Sequence, residues 1–212
     1  VLRRAMSFAT RIGKLPLPCR SAPGFVVNRI LAPYMLEALR AHEEGAAIET
    51  IDRAARNFGM PTGPVELADR VGLDIALHVT EGLCSASPES LRAKVEAGEL
   101  GAKTGKGFYE FKNNKPQKLS HYVQPDQELQ DRLILILVNE AMACYEDGVV
   151  EDTDLLDAGV IFGTGFAPFT GGPIHYVIER GVDDVVARLE FLTGRFGTQF
   201  TPRPGWQKLA AR

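Results

Sequence analysis

The sequence has no run of basic residues. Its 24 lysines and arginines are outnumbered by 27 aspartates and glutamates, giving a formal net charge of -3 and a pI near 5.9. Proteins that neutralise many backbone phosphates carry clustered lysine and arginine, and this sequence has no such cluster. We therefore expect no nucleic-acid partner.

Cysteine and histidine are scarce. The three cysteines, Cys19, Cys84 and Cys144, are widely spaced and lack the pairs of a zinc site or a disulfide framework. The four histidines show no metal-ligand spacing. These counts predict a protein without a metal site, located in a reducing cytoplasm.

Long apolar runs are also missing. No segment reaches the length of a membrane span, and the N-terminus lacks the charged-then-apolar order of a signal peptide. The chain opens at Val1 and enters at once what reads as the tail of an amphipathic helix, Leu2 to Ile12. We expect no membrane span, and we expect these residues to be a piece of a longer polypeptide.

The sequence does have helical periodicity with clear stop signals. The pattern predicts a long helix from about Gly24 to Glu44, ended by Gly45, and a shorter helix ended by Gly59. Pro64 suits the first position of the next helix, where its missing N–H costs nothing. The predicted fold class is all-α.

The helical pattern then starts again. A second long helix, from about Leu129 to Asp147, repeats the first, because Glu37 and Gly45 recur as Glu140 and Gly148 at an offset of 103 (140 − 37 and 148 − 45). Later landmarks recur too: Phe58-Gly59 as Phe162-Gly163, Gly63-Pro64 as Gly172-Pro173, and Gly72 as Gly181. We predict two similar helical domains packed about an approximate two-fold axis, as a pseudo-dimer within one chain.

The repeat also predicts the domain organisation. Residues 1–20 form the tail of a preceding region, and residues 21–112 form the first helical domain. Residues 113–125 are a polar linker, and residues 126–212 are a second, degenerate copy.

One asparagine lies inside the apolar opening of the first long helix. Asn28 shares a helical face with Met35 and Leu39, so its amide is expected to be packed rather than solvated. A buried amide without partners costs roughly 1–3 kcal/mol, so it should either tie down the neighbouring loop or serve a binding site. At the offset of 103, the second copy has Asp131 instead. A residue kept by only one of two copies favours the functional reading.

Two glycine clusters, Gly101 to Gly107 and Gly163 to Gly172, could suggest a nucleotide site. Neither follows a buried strand or opens a helix in the way a dinucleotide fingerprint requires. We therefore predict structural turns, and no cofactor-binding residue in this chain.

Several motifs carry a family resemblance. In the first copy they are Pro23-Gly24-Phe25-Val26-Val27-Asn28-Arg29, then Gly63-Pro64 with Glu66-Leu67, then Lys103-Thr104-Gly105-Lys106-Gly107-Phe108-Tyr109. In the second copy they are Asn139-Glu140, Gly163-Thr164-Gly165-Phe166 and Gly171-Gly172-Pro173. The first copy resembles the C-terminal domain of the 3-hydroxyacyl-CoA dehydrogenases, and the second resembles the duplicated domain of the multifunctional fatty-acid oxidation enzymes. The implied fold is like the C-terminal domain of 6-phosphogluconate dehydrogenase.

The resemblance implies an activity and a division of labour. The complete enzyme would oxidise the 3-hydroxyl of an acyl-CoA and transfer hydride to NAD, bound by a Rossmann domain that precedes Val1. That domain would also carry the catalytic histidine, so this chain alone is expected to be inactive. Asn28 matches the family asparagine that positions the substrate and the catalytic histidine. Phe162 stands where relatives have a substrate-contacting tyrosine, which would leave only packing against an acyl chain.

The implied partners are an acyl-CoA, the Rossmann domain, a hydratase domain, and a second copy of the chain or a thiolase. Two alternatives stay open. The chain could be a purely structural or oligomerisation module in which Asn28 only supports the fold, or it could belong to a 3-hydroxybutyryl-CoA dehydrogenase relative with shorter substrates.

Overall fold

The computed structural model describes residues 1–210. The first half contains α1 Leu2–Arg11, α2 Val27–Glu43, α3 Ile48–Phe58, α4 Pro64–Val71, α5 Leu73–Cys84, α6 Glu89–Glu96, and the antiparallel strands β1 Glu110–Lys112 and β2 Lys115–Gln117. The second half contains α7 Gln127–Glu146, α8 Thr153–Thr164, α9 Pro173–Arg180, α10 Val182–Phe196 and α11 Gly205–Ala210. The all-α prediction is confirmed, and the last two residues of the predicted 126–212 domain lie outside the described residues.

Helices α2 and α7 pack against each other at the centre of one continuous apolar core. The two halves exchange neighbours around this pair, because α3 packs mainly on α7 and α8 contacts both α2 and α7. Buried side chains from both halves, including Tyr34, Ile51, Leu133 and Val160, therefore belong to the same cluster.

Reciprocal ion pairs join the two halves. Arg29 of α2 contacts Glu140 of α7 at 2.7 Å and Asp147 at 2.6 Å. Arg132 of α7 contacts Glu37 of α2 at 2.6 Å and Glu44 at 2.6 Å. Every member of the first set maps onto the second at the offset of 103 (132 − 29, 140 − 37, 147 − 44). Such exchange of identical contacts is what an isologous interface produces, so the structure has the predicted pseudo-dimer arrangement.

A buried aspartate in each half holds the start of the next helix. Asp52 of α3 accepts hydrogen bonds from the backbone N–H groups of Val65 and Glu66, at the start of α4. Asp157 of α8 accepts them from Ile174 and His175, at the start of α9. The carboxylates satisfy N–H groups that have no partner within their own helix. Side-chain atoms at Gly63 and Gly172 would collide with these two aspartates, respectively.

The landmarks of the repeat are confirmed in part. Gly72 and Gly181 both end one helix and begin the next, with φ of 107° and 100°. The left-handed glycine that ends α8 is Gly165, so the counterpart of Gly59 is Gly165 and not Gly163, which lies inside α8. The pairing of Phe58-Gly59 with Phe162-Gly163 was therefore wrong. The connection before α8 is two residues longer than the one before α3 (6 against 4), and α8 itself is one residue longer than α3 (12 against 11).

The segment predicted as a linker is partly ordered in a hairpin. Its strand β2 pairs with β1 through a turn at Asn113 and Asn114, which have φ of 50° and 60°. Asparagine tolerates this left-handed conformation, which two-residue hairpin turns require. Lys118 then contacts Glu66 at 2.5 Å, which fixes the chain beyond the hairpin to α4. Within residues 1–210, none of the helices has the length and apolar character needed to cross a membrane.

Candidate functional site

Asn28 lies in the first turn of α2, and its side chain is exposed. The expectation that this amide is packed was wrong for this position. Met35 and Leu39, seven and eleven residues further on, are buried, so the predicted face is correct along the body of the helix. In the first turn of α2, Ile30 is packed in the core, but the side of the turn that carries Asn28 is not covered. This leaves an amide without a hydrogen bond to any described residue at the start of the helix.

The counterpart of Asn28 in the second half has a different environment. Asp131 is 3 % exposed, and its carboxylate contacts Arg180 and Arg188, each at 2.8 Å. Those arginines belong to α9 and α10, which cover the start of α7. The same helical position is thus used for internal ion pairs in one copy and is open in the other.

The turn before α2 is strained. Phe25 has φ of 49°, a left-handed conformation that costs a residue with a Cβ roughly 1–2 kcal/mol. Its ring is 56 % exposed, so core packing does not compensate for this cost. Gly24, with φ of 73°, is packed closely against the backbone of Arg29 and the side chain of Leu83. A strained backbone with an exposed aromatic ring is characteristic of a binding surface.

Phe162 lies near the end of α8, and its ring is 70 % exposed. The first turn of α2 contacts this end of α8, since a methyl group added at Gly163 would lie 2.5 Å from Val27. Asn28 directly follows Val27, and Phe162 directly precedes Gly163, so Asn28 and Phe162 belong to the helical turns through which α2 and α8 are in contact. Phe162 also lines a groove of about 620 Å³ with Ile161 and Pro168, and Asn28 does not line that groove.

Arg29 fixes the position of the turn that carries Asn28. Its side chain is 19 % exposed, and its guanidinium contacts the carboxylates of Glu140 in α7 and of Asp147 directly after α7. Burial opposes the charge, but the hydrogen bonds that Arg29 donates to the carboxylates of Asp147 and Glu140 hold the pKa of Arg29 above its usual value. The second half therefore helps to determine where Asn28 lies.

Neither glycine-rich turn fits a dinucleotide. The turn at Gly101 to Gly107 closes around Asp69, whose carboxylate accepts hydrogen bonds from the N–H groups of Phe108 at 2.9 Å and Tyr109 at 2.8 Å. Side-chain atoms at Gly101 would collide with the backbone of Asp69, and those at Gly107 with its carboxylate, so these glycines allow close packing on this residue. A negative charge at the centre of the turn would repel a pyrophosphate.

The second glycine-rich segment is also used for packing. Gly165 lies against Pro61, and Gly171 lies against the ring of His175. In residues 1–210, no group of three or more His, Cys, Asp or Glu residues has the geometry of a metal site. Cys84 and Cys144 have raised pKa values of about 11 and about 12, caused first by burial, so neither is an activated thiolate.

Sequence reasoning missed the structural role of Asn139. This residue is 4 % exposed and accepts hydrogen bonds from the backbone N–H of Arg203 and from Nε1 of Trp206, both at 3.1 Å. It also donates to the carbonyl of Thr201 at 2.9 Å. Asn139 holds the C-terminal segment in place. Its place in the apolar stripe of α7 was the available signal.

Comparisons with known proteins agree with this architecture. Residues 24–111 match the family model for the 3-hydroxyacyl-CoA dehydrogenase, C-terminal domain. The fatty acid oxidation complex subunit alpha of Shewanella sp. (strain MR-4) is 37% identical over 228 residues, covering 97% of this chain and 32% of that protein. The same subunit of Idiomarina loihiensis is 36% identical, covering 94% of this chain and 31% of that protein. The chain thus spans about a third of the length of these curated relatives.

Two solved structures share the fold. The 3-hydroxybutyryl-CoA dehydrogenase of Escherichia coli K12 matches with a TM-score of 0.81 at 21% identity, covering 100% of this chain and 64% of that chain. The dehydrogenase part of multifunctional enzyme 1 from C. elegans matches with a TM-score of 0.71 at 22% identity, covering 98% and 52%. At these identities the likeness concerns the fold alone. Residues 24–111 therefore form a domain of the 3-hydroxyacyl-CoA dehydrogenase, C-terminal domain, family.

Proposed function

We propose that this chain forms the substrate-side and assembly domains of an NAD-dependent 3-hydroxyacyl-CoA dehydrogenase of fatty-acid oxidation. The observation that carries the proposal is the exposed amide of Asn28, in a segment that matches the dehydrogenase family. The open position of Asn28 also differs from that of its buried counterpart Asp131.

In the proposed role, Asn28 orients the substrate. An amide N–H can donate a hydrogen bond to the oxygen that becomes a carbonyl, but an amide cannot take up the hydroxyl proton at neutral pH. In this proposal, the base and the NAD site belong to a domain outside this chain. The close packing of protein atoms against both glycine-rich turns supports this division. The chain alone should be inactive. Its three free cysteines are in keeping with a cytoplasmic location.

Two exposed rings, one in the turn before α2 and one at the end of α8 that contacts α2, complete the proposed wall. Phe25 and Phe162 offer apolar surface to an acyl chain or to the neighbouring domain, and Phe162 cannot donate a hydrogen bond. The implied partners are the Rossmann and hydratase domains of a longer polypeptide. A second copy of the chain or a thiolase would complete the assembly.

The test replaces the matching third of the Shewanella relative by this chain and measures oxidation of a 3-hydroxyacyl-CoA series. In this chimera, Asn28→Ala should lower kcat roughly 10²–10³-fold, the loss typical of one positioned donor. Asn57→Ala, at an exposed position of α3, is the matched control and should leave kcat unchanged. Asn139→Ala is unsuitable as a control because that residue holds the C-terminal segment.

Equal turnover in Asn28→Ala and Asn57→Ala would refute the orienting role and favour a purely structural module. The series of acyl-chain lengths separates a short-substrate enzyme from a long-substrate one, because only the latter should gain kcat/KM beyond four carbons.

A further inference from the structure

A groove of about 730 Å³ lies on the side of the α2–α7 contact that carries Arg29. Three arginines line it, Arg29, Arg40 and Arg203, with a single carboxylate, that of Glu140. The side chains that line the groove sum to a charge of +2 (3 − 1), and two carboxylates outside this lining, Asp147 and Glu37, contact Arg29 and Arg40. Positive charge concentrated in a concave site attracts anions.

The other grooves lack this positive charge. The groove around Arg132, on the equivalent side of the pseudo-dimer, has two arginines and three carboxylates, which gives -1 (2 − 3). Its carboxylates are Glu44, Asp126 and Glu128. The remaining three grooves compared within residues 1–210 carry charges of 0, -2 and -1 by the same count, with histidine neutral. The positive groove is thus a property of one side only.

Two of its arginines keep most of their donors available. Arg40 makes a single 3.3 Å contact with Glu37, and 36 % of its side chain is exposed. Arg203 lies 3.7 Å from Glu140, beyond hydrogen-bond distance, and 42 % of its side chain is exposed. A guanidinium has five N–H donors in a fork that suits phosphate and carboxylate oxygens.

The pseudo-symmetry also indicates that a ligand of this groove carries a planar ring. In the second half, the ring of Phe196 covers the guanidinium of Arg132, with its centroid 3.9 Å from Cζ. Among the described residues, no aromatic ring covers Arg29 in this way. Apolar surfaces of Pro23, Pro33 and Leu83 line the groove beside it. The groove thus combines a partly exposed guanidinium that no described ring covers, apolar walls, and the available donors of Arg40 and Arg203.

We propose that this groove binds a phosphorylated adenine nucleotide, with the ring over Arg29 and the phosphates on Arg40 and Arg203. The nucleotide end of an acyl-CoA has this chemistry, and the choice of that ligand rests on the proposed function. The groove begins at Pro23 and Arg29, which belong to the same motif as Asn28. A CoA held there would have its nucleotide beside the turn that presents the orienting amide.

The experiment is calorimetric titration of the chain of residues 1–212 with 3′,5′-ADP, the nucleotide of CoA. The double variant Arg40→Ala with Arg203→Ala should weaken binding at least about tenfold, because each removed guanidinium contributes charge-assisted hydrogen bonds. Arg195→Ala removes the same charge from the opposite groove, where the side chain is 57 % exposed, and should leave the affinity unchanged. Unchanged circular dichroism of each variant establishes that it is folded.

Further ligands test the nucleotide itself. Adenosine should bind more weakly than 3′,5′-ADP, and inorganic phosphate should compete poorly, because neither makes both kinds of contact. Absence of 3′,5′-ADP binding, equal binding to the double variant, or equal competition by inorganic phosphate would each overturn the proposal. Tighter binding of 5′-ADP than of 3′,5′-ADP would overturn the assignment to CoA.

Failure of the nucleotide-binding proposal is distinguishable from failure of the proposed function. A chimera that loses turnover with Asn28→Ala while the chain binds no 3′,5′-ADP keeps the dehydrogenase role and rejects the groove. Nucleotide binding that depends on Arg40 and Arg203, with turnover insensitive to Asn28, gives the opposite result.

Discussion

Replacing Arg132 by methionine should destabilise the chain far more than replacing its counterpart Arg29 by methionine. Arg132 is 5 % exposed and contacts Glu37, whose side chain is 0 % exposed. The carboxylates that contact Arg29 remain 22 % and 56 % exposed. Both substitutions remove one guanidinium from equivalent positions, so the comparison isolates the effect of burial.

The magnitudes follow from what each substitution leaves behind. Without Arg132, the buried carboxylate of Glu37 keeps only the 3.3 Å contact with Arg40 and a 3.4 Å hydrogen bond from Gln199. Removing one partner of a buried ion pair costs about 3–5 kcal/mol. Removing Arg29 should cost about 1 kcal/mol, because water still solvates its carboxylates.

Urea unfolding measures the difference. With an m-value of about 2.5 kcal/mol/M, Arg132→Met should lower the midpoint by about 1.2–2 M and Arg29→Met by about 0.4 M. Adding Glu37→Leu to Arg132→Met should recover much of the loss, because the uncompensated charge is then gone. Equal midpoint shifts for the two single variants, or a double variant less stable than Arg132→Met, would refute this reasoning.

Three further predictions concern Asp52, the glycines and Asn139. Burial raises the pKa of Asp52 to about 6, so the protonated side chain stabilises the fold fully below about pH 4. As the pH rises through 6, the free energy of unfolding should fall by at most about 3 kcal/mol. Urea midpoints from pH 4 to 7 should show this slope relative to Asp52→Asn, and a pH-independent difference would contradict it. Gly63→Ala should lower thermal stability because its methyl group would collide with Asp52, whereas Gly82→Ala, in an open position of α5, should raise stability by roughly 0.5–1 kcal/mol. Asn139→Ala should lower the free energy of unfolding by about 2–4 kcal/mol and shift the fluorescence emission of Trp206, the sole tryptophan, to longer wavelength. Unchanged emission would contradict the role of Asn139 in holding the C-terminal segment in place.

The helices could be predicted because helical periodicity and the prolines and glycines at helix ends are local signals. Pro64 begins α4 as expected, and Gly59 ends α3 in a left-handed conformation. The same signal misjudged Asn28, because periodicity identifies the average apolar face of a helix and not which side of its first turn is covered by other elements. Ile30 in that turn is buried, whereas Asn28 is exposed. The exposure of one terminal turn depends on the elements that cover it, and these come from distant parts of the chain.

The repeat predicted the pseudo-dimer, but the pairing of its charges needed coordinates. The offset of 103 relates Arg29 to Arg132 and Glu37 to Glu140, yet it does not say whether each arginine contacts its own copy or the other. The structure shows contact with the other copy. The role of Asp52 was likewise hidden, since its partners on α4 are 13 and 14 residues away.

The exchanged packing of α3 on α7 and of α8 on α2 makes the two halves mutually dependent for solubility. A cut in the hairpin at Asn113 would leave each half with a large apolar face that its own helices do not cover. Separately synthesised halves should therefore aggregate alone and reassemble when co-expressed, which would make this domain pair a fragment-complementation system. Positions such as Asn28, which makes no hydrogen bond to a described residue of the other copy, are the ones most free to differ between the two copies.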